Sequence, residues 1–140
     1  MKYIETITNT DRFCLHDSTV SKMEFIDHNL ELTFSEGFWE TNEVGKLIRQ
    51  RKHCKMIIKF LITEDEELNL FIFKETAKRR KEIDFAAFSD LIHKNGFRIY
   101  REFRCGFSQQ LILEGNTDKG NYSIMTQEVD EIIYQCEDGD

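Results

Sequence analysis

Met56-Ile57-Ile58-Lys59-Phe60-Leu61-Ile62, then Thr63-Glu64-Asp65-Glu66-Glu67, then Leu68-Asn69-Leu70-Phe71-Ile72-Phe73: two apolar runs of strand length flank a short polar segment. Read locally, they are neighbouring strands joined by a charged hairpin loop. Both are apolar at nearly every position, so each is expected in the middle of a sheet with both faces covered. One of those covers must be a helix or a second sheet.

Upstream, Val20 to Ile26 is rich in strand formers, and Leu30, Leu32 and Phe34 alternate with Glu31, Thr33 and Ser35. That alternation marks a strand with one wet face, and Asp27-His28-Asn29 supplies the hairpin loop between the two. Between Gly37 and Arg51, Val44, Leu47 and Ile48 recur at helical spacing, which favours a short helix. Downstream, Ile83, Asp84 and Phe88 form the start signal of a helix, a capping carboxylate inside a hydrophobic staple. Phe85, Phe88, Leu91 and Ile92 give it an apolar face, expected to pack on Ile58, Phe60, Leu70 and Ile72. Asn95-Gly96 closes it. Strand patterns resume with Phe97, Ile99 and Phe103 in one phase and Leu111 and Leu113 in another. Gly115 to Asn121 reads as a long polar turn, and Tyr122–Gln127 and Ile132–Cys136 as further strands.

Strands, one helix, then strands is the order of an α+β fold. The expected architecture is a bent, mainly antiparallel sheet, with partial closure into a barrel as its limiting form, and one principal helix packed on one face. The 140 residues suit a single domain over 1–140.

The chain carries a net charge of −7 and has a pI near 5.2, which disfavours general binding to nucleic acid or anionic membranes. No apolar run is long enough to span a bilayer. The start, Met1-Lys2-Tyr3-Ile4-Glu5, lacks the apolar core of a secretory signal, so a cytoplasmic location is expected. In that setting Cys14, Cys54, Cys105 and Cys136 are expected as reduced thiols, without disulfides.

The densest polar cluster is Cys14-Leu15-His16-Asp17-Ser18. On an extended segment Cys14 and His16 share a face, the arrangement in which an imidazole can activate a thiol. No orienting group or oxyanion motif accompanies them, so a strand end held by an Asp-Ser turn is the simpler reading, and no catalytic residue is assigned. A zinc set of Cys14, His16, His53 and Cys54 fails on geometry, because adjacent strand residues face opposite ways. No metal or cofactor is expected.

Basic residues concentrate in Lys46–Lys59, in Lys78-Arg79-Arg80-Lys81, and at Arg98, Arg101 and Arg104. Tyr100, Phe103 and Phe107 interleave with the last group, a composition seen where single-stranded nucleic acid stacks. Strand phase puts Phe103 opposite Arg98 and Arg104, toward the core, which weakens that reading. The segment from Glu128 to Asp140 holds acids and no base.

Leu15-His16-Asp17-Ser18, followed by a hairpin ending in Leu30-x-Leu32-x-Phe34 and then Gly37-Phe38, resembles small uncharacterised bacterial proteins, some of them similar to immunity proteins. The resemblance implies a protein without catalytic residues that acts by binding. With this acidity, the implied partner is a basic protein, met through an acidic face that includes Glu137, Asp138 and Asp140. The alternatives are a small enzyme or ligand-binding protein using Cys14 and His16, or a nucleic-acid binder using the basic segments.

Overall fold

A computed structural model of the chain describes residues 2–7, 13–42, 46–62, 64 and 66–137. Its strands are β1 (Lys2–Glu5), β2 (Phe13–Cys14), β3 (Thr19–Val20), β4 (Lys22–Ile26), β5 (Asn29–Phe34), β6 (Phe38–Thr41), β7 (Leu47–Arg51) and β8 (Cys54–Phe60). A short 3-10 turn, Glu66–Asn69, leads to β9 (Leu70–Glu75) and β10 (Arg80–Ile83). Helix α1 (Phe85–Asn95) and strands β11 (Phe97–Cys105), β12 (Gln110–Thr117), β13 (Gly120–Thr126) and β14 (Val129–Cys136) follow. The class is α+β, antiparallel sheet with one α-helix among the described residues. No helix among the described residues is long and apolar enough to cross a membrane.

The strands form three open sheets, not a barrel. One has the order β1-β14-β8-β5-β4, the second β10-β9-β13-β12-β11-β3, and the third β2-β6-β7. Their buried faces meet in one hydrophobic core that includes Leu30, Leu32, Met56, Ile58 and Tyr134 from the first sheet and Ile72, Leu113 and Ile124 from the second.

The two apolar runs, residues 56–62 and 68–73, divide between sheets. β8 is flanked by β5 and β14, and β9 by β10 and β13, so the two runs do not pair as a hairpin. With both edges of β8 already occupied, the chain leaves at exposed Leu61 and Ile62 and crosses to the other sheet through the 3-10 turn. Neither run is covered on both faces: burial alternates along β8, with Met56, Ile58 and Phe60 inward and Lys55 and Lys59 outward.

The hairpin of β4 and β5 follows the sequence pattern. Asp27 and His28 both have positive φ, 51° and 68°, which makes the two-residue loop that matches strand twist. Between Gly37 and Arg51 the structure has strands β6 and β7 instead of a helix; Val44 lies outside the described residues. Tertiary packing decides this. Phe38 is fully buried against Phe13, Phe34 and Tyr134, and Arg51, 1% exposed, donates to Glu40 through Nε at 3.0 Å. A Cβ on Gly37 would fall 1.6 Å from the Arg51 carbonyl oxygen, so the close approach there requires glycine. The polar stretch 115–121 is mostly strand as well, since β12 and β13 pair up to Thr117 and Gly120 around a tight turn.

Helix α1 begins as its sequence dictates. Asp84 Oδ1 accepts from the Ala87 N–H at 2.8 Å, and Gly96, φ 75°, closes the far end with its N–H on the Ile92 carbonyl. Phe88 and Ile92 are fully buried, while Phe85 and Leu91 pack at the margin. The helix touches both large sheets. Phe85 stacks on Phe25 of β4, Phe88 packs on Phe97 and Tyr122, and Ser89 Oγ donates to the Met23 carbonyl at 2.7 Å. Its main sheet contacts are β4 and β9, so Ile58 and Phe60 of β8 are not its principal seat.

Candidate interaction surface

Strand β11 contains a bulge between Ile99 and Arg101. A bulge inserts one unpaired residue, and the side-chain alternation reverses beyond it. Before it, Phe97 and Ile99 are buried and Arg98 is exposed. After it, Glu102 and Arg104 turn inward, and Arg101, Phe103 and Cys105 turn out. Phe103, expected in the core, is 46% exposed, whereas the Arg104 side chain is only 9% exposed.

The reversal completes a row across the outer face of the six-stranded sheet. Phe71 stands opposite Met125, Met125 opposite Ile112, and Ile112 opposite Phe103. The first three are half-buried by their neighbours alone. Directly opposed side chains lie about 4.5–5.5 Å apart, so the four form one continuous apolar stripe. At its Phe103 end the β11–β12 turn presents Phe107, fully exposed. Leu61, Ile62 and Leu68, also exposed, sit before β9 at the same end of the sheet's strands. There Asn69 Nδ2 donates to the Ile62 carbonyl, Gln127 Nε2 to the Leu68 carbonyl, and the Val129 N–H to the Gln109 carbonyl.

Charged groups frame the stripe in pairs. Arg101 Nε lies 3.0 Å from Glu114 Oε1, and its guanidinium is 5.7 Å from the ring centres of both Tyr100 and Phe103. Arg80 lies 4.5 Å from the Phe73 ring centre and 2.6 Å from Glu75 Oε1. Those bonds to Glu75 hold the Arg80 guanidinium above its ordinary pKa, although partial desolvation opposes them. Arg98 donates to Asp17 Oδ1 at 2.6 Å.

No protein-family model, curated protein or solved structure matches the chain.

The other residues singled out in the sequence have structural surroundings. Asp17 takes a left-handed conformation, φ 65°, and its N–H donates to the Ile99 carbonyl. Its carboxylate lies 3.1 Å from His16 Nδ1. Buried Ser18 donates its N–H to the Leu15 carbonyl and accepts from the Ile99 N–H. The His16-Asp17-Ser18 turn thus anchors β3 beside β11. Cys14 is half-buried on β2 opposite Trp39. Cys54 is buried on β8 and His53 exposed before it, so Cys14, His16, His53 and Cys54 do not gather into a metal site. Among the described residues no cluster of three or more potential ligands does.

The basic run from Lys46 to Lys59 is dispersed. Arg51 is buried on Glu40, Lys55 lies 3.5 Å from Glu31, and Lys59 3.7 Å from Glu131. The last pair joins the basic run to the acidic C-terminal segment within one chain. Exposed Glu137 lines a cleft of about 390 Å³ together with Lys2, His53, Lys55, Gln135 and Cys136. Asp138 and Asp140 lie outside the described residues. Sequence reading missed Phe71, Ile112 and Met125. Phe71 carried a signal, as an outward-phase apolar residue of β9 read as covered when it faces out; Ile112 and Met125 stand on β12 and β13.

Proposed function

We propose that the protein acts by binding another protein, basic overall, through the outer face of the six-stranded sheet. One observation carries this reading: the Phe71–Met125–Ile112–Phe103 stripe, continued by exposed Phe107, with Arg101 over the adjoining rings. Scattered surface apolar residues are ordinary, but a contiguous stripe with aromatic and arginine side chains has the composition of an interface centre. The net charge of −7 favours capture of a basic partner, because complementary fields speed encounter. An immunity-type role, in which a basic toxic enzyme is held inactive, is the specific form suggested by the resemblance around His16-Asp17-Ser18.

A second reading, stacking of single-stranded nucleic acid, gains from Phe103 and Phe107 standing outside beside Arg101. The pairing of Arg80, Arg98 and Arg101 with carboxylates counts against it, since phosphate neutralisation drives such binding.

The test is affinity capture from native lysate with the wild type and with Phe103→Asp/Phe107→Asp, identifying bound species by mass spectrometry. A basic protein retained by the wild type and lost by the variant is the expected result. Equal retention by both would remove the stripe from the mechanism, and recovery of nucleic acid alone would favour the second reading.

A further inference from the structure

Cys54 and Cys136 are Cα partners across the β8–β14 ladder. Directly opposed residues on antiparallel strands have Cα atoms about 4.5 or 5.5 Å apart, depending on the hydrogen-bonding pattern. Both values fall in the range of about 4.4–6.8 Å that a disulfide spans without moving the backbone. The side chains use that proximity: the two Sγ atoms lie 2.6 Å apart, against a bonded length of about 2.05 Å. Cys14 and Cys105 stand on β2 and at the end of β11, in other sheets.

Access separates the two thiols. Cys54 is fully buried, whereas Cys136 is 6% exposed and lines the cleft with Lys2, His53, Lys55, Gln135 and Glu137. The cleft opens where the Glu137 N–H donates to the His53 carbonyl, just beyond the last paired residues of both strands. Closing the pair would tie positions 82 apart in sequence.

We propose that Cys54 and Cys136 form a reversible cross-strand disulfide, a modification site separate from the docking face, with a small-molecule disulfide as the oxidant. Cys136 reacts first: it gives its proton to solvent, and its thiolate attacks one sulfur of the oxidant. That step breaks the oxidant's S–S bond, releases one small thiolate and leaves a mixed disulfide on Cys136. Cys54 then loses its proton and attacks the Cys136 sulfur, forming the protein disulfide and releasing the second small thiolate. The protein dithiol gives up two electrons and two protons; the oxidant is reduced to two thiols, and a small dithiol reverses the exchange.

The experiment uses the full chain carrying Cys14→Ser and Cys105→Ser, which leaves only the proposed pair. The protein is equilibrated in oxidised glutathione or in reduced dithiothreitol, denatured in N-ethylmaleimide and weighed intact. Two labels after reduction and none after oxidation are expected, with a proteolytic fragment joining the Cys54 and Cys136 peptides. The oxidised form should also melt roughly 5–15 °C higher, given the long loop closed. Two labels after oxidation, or a glutathione adduct on Cys136 that never closes, would overturn the proposal. In the wild-type chain, linkage of either cysteine to Cys14 or Cys105 would overturn it too.

Discussion

The Arg104 guanidinium donates to the Tyr134 hydroxyl at 2.7 Å, joining strand β11 of one large sheet to strand β14 of the other across the core. The same guanidinium lies 3.1 Å from Glu5 and 2.9 Å from Glu102, so a single cation serves two inward-facing carboxylates. Removing one partner of a buried ionic group leaves the others desolvated without compensation.

Arg104→Met should therefore cost about 3–5 kcal/mol in urea denaturation. Adding Glu5→Gln and Glu102→Gln should recover part of that loss, because the stranded charges are then gone. A cost under about 1 kcal/mol for the single change would show that the network is solvated.

Phe88→Ala should cost about 3–5 kcal/mol, the usual range for a fully buried aromatic. Asp84→Ala should cost about 1 kcal/mol by removing the helix cap. Chemical denaturation of both variants checks the ranking, and an equal cost would contradict the packing of α1.

Phe107→Asp should leave stability within about 0.5 kcal/mol of wild type, since the side chain makes no core contribution. Partner retention should nonetheless fall at least tenfold in affinity, about 1.4 kcal/mol. Thermal melts and binding titrations on one preparation separate the two effects.

Cys105 is exposed at the end of β11, beside the β11–β12 turn. Hydrogen bonds from the Ser108 hydroxyl, then from backbone N–H groups, hold its pKa below the ordinary thiol value against a smaller opposing effect of burial. A lowered pKa means thiolate at lower pH, so iodoacetamide should modify Cys105 with a rate inflection below that of an unperturbed cysteine. Ser108→Ala should move the inflection upward. An unmoved inflection would rule out the hydroxyl as its cause. Bound partner should protect Cys105, which lies beside the Phe103 stripe.

Local chemistry explains which parts of this fold were legible in the sequence. The Asp27-His28 hairpin and the Asp84–Gly96 helix carry their instructions within a dozen residues. Pairing of β8 with β5 and β14 does not, because every strand with an apolar phase is a chemically acceptable neighbour. The spacing of Val44, Leu47 and Ile48 suited a helix, and burial of Phe38 and the Arg51–Glu40 pair overrode it. The bulge at Ile99/Arg101 has no signature in a chain with ordinary residues there, yet it decides which of Phe103 and Arg104 meets solvent. The candidate surface was hidden for that reason.

β1 pairs with β14, residue Lys2 opposite Gln135. A ribosome must therefore deliver nearly the whole described chain before the five-stranded sheet can close, and β1 waits through all of that synthesis without its partner. Contacts this distant in sequence carry a high loop-closure cost before any stabilisation returns, so refolding is expected in the millisecond-to-second range typical of β-rich topologies. During the wait, the apolar faces of β5 and β8 stand open to other nascent chains, so chaperone assistance and lower temperature are expected to raise the yield of folded protein.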